Sequence, residues 1–187
     1  KKQEGNYFTS TIGYVFDYDI RNQKFQTTDG FRSRFSQTLP VISDSNTITT
    51  GFIYDKYLSY EELTTSLGLY LRNAVGLTDD VRISERLGLP RNRLRGFKTG
   101  RIGPVDQGND HVGGNYAAAL NFSTDIPFLF QNLQSTDFKF FIDTANVWGV
   151  DYSDNVDGGS KIRSSTGISI DWWTPIGPLN FSLAHPI

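Results

Sequence analysis

Regular alternation of apolar and polar residues is the feature that most limits how this chain can fold. It is clearest from Ile162 to Trp173, where Ile168, Ile170 and Trp172 alternate with polar residues. A period of two places alternate side chains on opposite faces of a β-strand. The pattern predicts eight strands, within residues 8–19, 31–39, 48–55, 63–72, 115–123, 138–143, 162–173 and 179–183. We therefore predict an all-β, antiparallel fold.

Two all-β architectures fit this alternation, a transmembrane β-barrel and a soluble β-sandwich. The longer segments approach the length of a tilted membrane-spanning strand. Aromatic residues such as Tyr18, Trp148 and Trp172 lie near segment ends, as interfacial girdles do. Short connections also alternate with longer ones, although the short 41–46 connection breaks that alternation. These features favour the barrel, with the sandwich left as an alternative.

The composition excludes several other classes of protein. No stretch of the 187 residues approaches the roughly 18 apolar residues of a membrane helix. A net charge of −2 gives no reason to expect a nucleic-acid partner, and the lack of cysteine excludes disulfides, thiol catalysis and cysteine-bound zinc. His111 and His185 lack ligand spacing. We expect neither an enzyme nor a bound metal or cofactor.

The long connection from about residue 77 to residue 112 indicates that the eight strands belong to something larger. A structureless loop of that length is uncommon in a compact domain unless it is functional. It would not fit inside an eight-stranded barrel, whose interior is filled by side chains. The chain also stops at Ile187 without the aromatic terminal strand expected of an outer-membrane barrel. We infer the C-terminal half of a larger barrel, without its last strand.

Five motifs in a fixed order resemble the BamA/TamA superfamily of outer-membrane insertases and transporters. They are Glu85-Arg86-Leu87-Gly88 with Leu94-Arg95-Gly96-Phe97, the glycines of 103–104 and 113–115, the FIDTA of 141–145, the WTPIGPLNFS of 173–182, and YDIRN with TDGF in 18–31. The resemblance covers nearly the whole chain. It implies that residues 1–187 are a partial C-terminal barrel domain of the bacterial surface antigen type, from a 16-stranded barrel. The periplasmic POTRA domains and the last strand would lie outside the chain.

The resemblance also implies a function in the outer membrane of a Gram-negative bacterium. The family's insertases fold β-barrel proteins and insert them through a lateral seam, without covalent chemistry. Expected partners are the lipid bilayer, lipopolysaccharide, nascent β-barrel proteins and assembly lipoproteins. A transporter of the TamA or two-partner secretion type, or a passive diffusion porin, remains an alternative.

In this family the long external loop folds back into the lumen, where its arginine meets acidic residues of the inner wall. By this resemblance Leu94, Arg95, Gly96 and Phe97 form the functional loop motif, and Asp143, Asn121 and Phe141 form the inner wall. Alternation along the strand puts Asp143 on the face opposite to Phe140 and Ile142, which is the lumen side. The guanidinium of Arg95 suits a carboxylate.

Two departures from the family pattern weaken the expected tether. Ala145 stands where the family has glycine, and Asn121 replaces a second wall carboxylate. Asp125 is a candidate for the missing charge. In a wet lumen, we expect breaking the pair to cost nearer 0–1 kcal/mol than the roughly 3–5 kcal/mol of a buried pair.

The remaining charged residues are expected to be solvated. We expect Arg91, Arg93 and Arg101 to face solvent or to contact lipopolysaccharide phosphates. Asp151, Asp154 and Asp157 do not have the spacing of a calcium-binding loop, so a polar external loop is the better interpretation.

Overall fold

Ten strands and two short 3-10 helices make up the computed structural model, which describes residues 6–126, 135–151, 156–157 and 161–187. The long strands are β1 (Thr11–Asp19), β2 (Gly30–Pro40), β3 (Thr47–Tyr60), β4 (Leu63–Gly76), β6 (Tyr116–Asp125), β7 (Thr136–Trp148), β9 (Arg163–Thr174) and β10 (Gly177–Pro186). The two-residue strands are β5 (Val105–Asp106) and β8 (Val156–Asp157), and the 3-10 helices are Ile83–Glu85 and Arg91–Arg93. All eight predicted strands are confirmed, most of them longer than the apolar pattern indicated.

The eight long strands form one antiparallel sheet in the order β1-β2-β3-β4-β6-β7-β9-β10. Each strand pairs with the next long strand in the chain, so the sheet is a continuous meander. Connections 41–46, 77–115 and 149–162 leave one end of the sheet, called the loop end below. The opposite turn end includes the connections 20–29, 61–62 and 175–176. At the loop end β5 pairs with β8, which joins two of the connections to each other.

The two faces of the sheet differ as the alternation predicts. On the outer face Leu120, Phe140 and Ile142 are exposed. On the inner face Phe141 and Asp143, from the same strand, are fully buried. The only other sheet in the described ranges is the two-residue β5–β8 pair, so no second apolar layer covers the outer face. This arrangement contradicts the sandwich alternative.

The inner face is covered by the long connection between β4 and β6, which contributes four of the ten buried residues of the hydrophobic core cluster. The core cluster consists of Val81, Leu87, Leu89 and Leu94 from the connection and Tyr70, Ala74, Ala117, Ala119, Ala145 and Val147 from the sheet. Four of the six sheet residues are alanines, so the wall leaves room for the leucines of the loop. Ala145, the departure from the family's glycine, keeps that small surface. Within the described ranges no helix is long and apolar enough to cross a membrane.

Candidate functional site: a loop tip docked on the inner face

The tip of the connection is shaped by a short sequence of local constraints. Arg91–Arg93 forms a 3-10 turn after Pro90, and the next side chain, Leu94, is buried in the core cluster. Gly96 then has φ +85°, a left-handed conformation that glycine adopts without steric cost. The buried leucine fixes the tip on the wall, and the reversal at Gly96 leaves Arg95 directed toward β7.

Arg95 makes a two-pronged ion pair with Asp143. Its Nε donates to Oδ2 at 2.7 Å and its Nη2 donates to Oδ1 at 2.7 Å. The backbone N–H of Arg95 also donates to Oδ2, at 3.1 Å. The guanidinium carbon lies 3.5 Å from the ring centroid of Phe141, so the cation stacks on an aromatic face as well. The structure therefore brings Arg95 together with Asp143 and Phe141, two of the inner-wall residues that the family resemblance singled out.

The ring of Phe141 fits on the inner face because the residue beside it on the neighbouring strand has no side chain. Phe141 pairs in register with Gly167 of β9. A Cβ at Gly167 would lie 2.9 Å from the Phe141 ring, closer than side-chain carbons approach. The glycine thus admits the ring, and the ring supports the guanidinium.

The pair lies in a drier environment than we expected from the sequence. The Asp143 side chain is 0% exposed and that of Arg95 is 17% exposed. The expectation of a wet lumen is therefore wrong at this point, because loop and wall pack together around the pair. The cost of removing one partner should be near the roughly 3–5 kcal/mol of a buried ion pair.

Asp143 belongs to a row of cross-strand neighbours on the inner face, which we call the docking row. It comprises Asp55 of β3, Gly68 of β4, Asn121 of β6 and Asp143 of β7, each paired in register with the next. Antiparallel register brings side chains on one face within contact distance across adjacent strands. The row gives the loop tip a line of polar groups at one level of the sheet.

Asn121 lies at the centre of this row and contacts both acidic and basic groups. Its amide Nδ2 donates to Asp143 Oδ1 at 2.8 Å and to the backbone carbonyl of Arg93 at 3.0 Å. A carboxylate at this position has no proton to donate at neutral pH. The amide is therefore more than a weakened carboxylate, because it joins the wall aspartate to the loop backbone.

Arg93 is the residue for which the sequence-based expectation was wrong. Its Nη1 donates to Asp55 Oδ1 at 3.1 Å and to Asn121 Oδ1 at 3.3 Å, and its side chain is only 13% exposed. Asp125, expected as a possible second partner of Arg95, instead lies opposite Lys139, four residues along β6 from Asn121. That separation is about 13 Å at the rise of a β-strand. The second wall carboxylate is thus Asp55, and its arginine is Arg93.

The beginning and the end of the connection are also held at the loop end. The Glu85 carboxylate accepts hydrogen bonds from Ser45 Oγ at 2.5 Å and Thr47 Oγ1 at 2.7 Å. Asp151 accepts from the backbone N–H of Val81 and from Asn115 Nδ2, both at 2.6 Å. The connection is therefore anchored at both ends and at its tip.

On the other side of the tip lies the last strand of the sheet. A Cβ on Gly96 would lie 2.9 Å from Ala184 Cβ, so the loop backbone touches β10. Phe97 packs against the core cluster, and it also lines a cavity of about 1010 Å³ between the tip and β10. Arg91 and Arg101 are exposed, in agreement with a solvated position.

No metal centre emerges from the described residues, since no three carboxylates or histidines converge there. Asp154 lies outside the described ranges, and only the backbone of Asp157 is described. Asp151 is committed to its two hydrogen bonds.

Sequence reasoning identified Arg95, Asp143, Asn121 and Phe141 but not the Arg93–Asp55 pair. Parity alone puts Asp55 on the inner face, together with Thr49 and Gly51. What it does not give is the register that aligns Asp55 with Gly68 and Asn121. That alignment requires three strands and the loop to be placed together.

Comparison with known proteins gives consistent matches. The family model of the Omp85 superfamily domain matches residues 1–187. The outer membrane protein assembly factor BamA of Neorickettsia risticii (strain Illinois) is 25% identical over 193 residues, covering 100% of this chain and 26% of that protein. BamA of Neisseria meningitidis serogroup B (strain ATCC BAA-335 / MC58) is 28% identical over 122 residues, covering 50% of this chain and 15% of that protein.

A solved structure shows the same fold. The crystal structure of BamA from Haemophilus ducreyi lacking POTRA domains 1–3 superposes with a TM-score of 0.82 at 24% identity, covering 95% of this chain and 38% of that one. The chain therefore spans about a quarter of the first of these curated relatives, and the eight-stranded sheet corresponds to part of a larger barrel.

Proposed function

Because the chain belongs to the Omp85 superfamily, we propose that its complete protein folds β-barrel proteins and inserts them into the outer membrane through a lateral seam. The chain is a segment of an outer-membrane β-barrel from a Gram-negative bacterium. Nascent β-barrel proteins, bilayer lipids, lipopolysaccharide and assembly lipoproteins are the proposed partners. The role requires no covalent step and no cofactor.

The docked loop tip is the observation that carries this proposal. A pore selected only for diffusion needs a lining of charges, but it has no need of a buried arginine stacked on Phe141 and held by Asp143. The tip also touches Ala184 of β10 through Gly96. The loop tip therefore contacts β7 through Arg95 and the last strand of the sheet, β10, through Gly96.

The proposed mechanism follows from the cost of unpaired backbone groups. An open sheet edge exposes N–H and C=O groups, and each is expensive in hydrocarbon. A barrel whose first and last strands pair weakly offers such an edge to an incoming strand, which gains hydrogen bonds by adding to it. A loop fixed across the wall stabilises the barrel while the seam opens.

Charge exchange at the tip tests this function. In the full-length protein, Arg95→Glu should strongly lower the amount of folded β-barrel proteins in the outer membrane of the native host, because it places two carboxylates in a buried site. Adding Asp143→Arg should partly restore that amount. Arg101→Glu, an exposed residue of the same loop, is the matched control and should have little effect.

The result against the proposal is normal assembly in both Arg95→Glu and Arg95→Ala. A transporter is indicated instead if barrel proteins assemble normally in the variants while export of a secreted protein stops. Single-channel recording adds a third outcome, since a large and steady conductance would indicate a diffusion porin.

A further inference from the structure

The geometry of Arg93 points to a second anchor for the loop tip, separate from the Arg95 motif. We propose that the Arg93–Asp55 ion pair, joined to Arg95–Asp143 through Asn121, sets the orientation of the tip on the wall, which makes Arg93 and Asp55 positioning residues. This inference rests on the proposed function only for the claim that tip orientation affects assembly.

Either ion pair alone would leave the tip able to rotate about its contact with the wall. Arg95 holds β7, whereas Arg93 holds β3, and two strands lie between them in the sheet order. A turn held only by the Arg95–Asp143 pair and the buried Leu94 can still rotate about that attachment. Attachment at two points, three strand spacings or about 14 Å apart along the docking row, removes the pivot.

The wall makes room for this second anchor at Gly68. A Cβ there would lie 2.9 Å from both Arg93 Nη1 and Asp55 Oδ1. Any larger residue would therefore occupy the space in which the two charged groups meet. The guanidinium of Arg93 also lies 5.6 Å from the ring centroid of Tyr70, a core residue on the same strand as Gly68.

Asn121 connects the two anchors into one network. Its oxygen accepts from Arg93 and its nitrogen donates to Asp143, so its amide orientation is fixed from both sides. The network contains two guanidinium groups, two carboxylates and one neutral amide. The charges balance without a third carboxylate, which explains why an amide fits where the family has an acid.

Spin-label distances in the full-length protein test the proposal directly. The chain has no cysteine of its own, so labels can be placed at Asn92→Cys in the tip and Ser182→Cys on β10, which both line the cavity beside the tip. Any native cysteine elsewhere in the full-length protein would be replaced first. We expect a single narrow distance distribution when both anchors are intact.

Removing either member of the second anchor should broaden that distribution. Arg93→Gln and Asp55→Asn should each widen it, and the double variant should be no wider than either single variant, because the two residues act as one pair. The exchange of charges in Arg93→Asp with Asp55→Arg should narrow it again. Arg91→Gln, an exposed neighbour in the same 3-10 turn, should leave it unchanged.

An unchanged narrow distribution in both single variants would overturn the inference. Folding is checked separately by the heat-dependent gel shift of the barrel, and Asp55→Asn, which removes the same ion pair from the wall side, is the variant to use if Arg93→Gln fails to fold. Assembly activity measured on the same variants separates the two proposals. A tip that broadens as expected, in a protein whose assembly is insensitive even to Arg95→Glu, would refute the proposed function and leave this inference standing.

Discussion

Arg95 and Arg93 lie two residues apart at the same loop tip and bind the same sheet, yet their contacts differ in kind. Arg95 uses two nitrogens and its backbone N–H on one fully buried carboxylate and stacks on Phe141. Arg93 uses a single nitrogen on Asp55, whose side chain is 26% exposed. Burial and the number of bonds, rather than charge, distinguish a strong anchor from a weaker one.

The largest difference should appear when each carboxylate is neutralised. Asp143 accepts four hydrogen bonds, three from Arg95 and one from Asn121. Asp143→Asn replaces one carboxylate oxygen with an NH₂ group, which cannot accept a hydrogen bond from these donors. We expect a loss of about 3–5 kcal/mol in the free energy of unfolding, measured by urea titration of the full-length barrel in detergent. Asp55→Asn should cost about 1 kcal/mol or less. Equal losses at the two positions would contradict the comparison.

Lysine at Arg95 and at Arg93 compares the two anchors again, with smaller expected losses in the free energy of unfolding. Lysine keeps the charge but not the planar fork, so Arg95→Lys loses one prong and the stacking on Phe141. We expect it to cost about 1.5–3 kcal/mol, the value of a hydrogen bond to a charged group. Arg93→Lys keeps a positive charge beside Asp55 and should cost less than about 1 kcal/mol. The same urea titration measures both, and a reversed order would refute the assignment of the stronger anchor to Arg95.

Alanine substitutions at three glycines of the loop distinguish the free-energy cost of backbone strain from the cost of contact with β10. Gly96 has a positive φ and lies against Ala184, Gly100 has a positive φ in open space, and Gly88 has open space without a positive φ. Alanine at Gly100 should cost about 1–2 kcal/mol from the left-handed conformation alone, and alanine at Gly88 almost nothing.

Alanine at Gly96 should cost more than alanine at Gly100, because its Cβ would also meet Ala184. The excess measures the contact between loop and strand, by comparison of the three unfolding free energies. If Gly96→Ala and Gly100→Ala cost the same, the tip does not press on β10.

A small effect on stability is expected at Gly68, although a Cβ there would reach the second anchor. An added methyl group would push against the flexible ends of Arg93 and Asp55 rather than against backbone, so Gly68→Ala should cost well under 1 kcal/mol. It should nevertheless broaden the tip distance distribution as Arg93→Gln does. Gly51→Ala on β3, where the Cβ would meet the hydroxyl of Ser36, is the matched control and should leave the tip unchanged.

The sheet was predictable from sequence because its faces alternate. Side chains of β7 alternate between the two faces of the sheet. The structure exposes Phe140 and Ile142 and buries Phe141 and Asp143. The meeting of the loop motif with Asp143 and Phe141 was implied by the family resemblance, and the alternation along β7 placed both residues on the inner face. Strand ends such as Trp148 and Gly76 were less clear, because the alternation weakens before the hydrogen bonding stops.

The second anchor and the full burial of Asp143 were not predictable in the same way. Asp55 meets Arg93 only because β3, β4 and β6 align in one register, and a shift of two residues would preserve every apolar face while moving Asp55 away. The burial of Asp143 depends on Leu94 and the alanines of the wall packing together, which is a property of the assembled core. Local patterns determine faces, whereas contacts between distant segments require the register and the packing.

The most direct test of the account is an experimental density map of the full-length protein in a lipid nanodisc. We expect the Arg95 guanidinium stacked on Phe141, with Nε and Nη2 within about 3 Å of the Asp143 carboxylate. A loop tip located outside the sheet, with the inner face at Asp143 open to water, would contradict it.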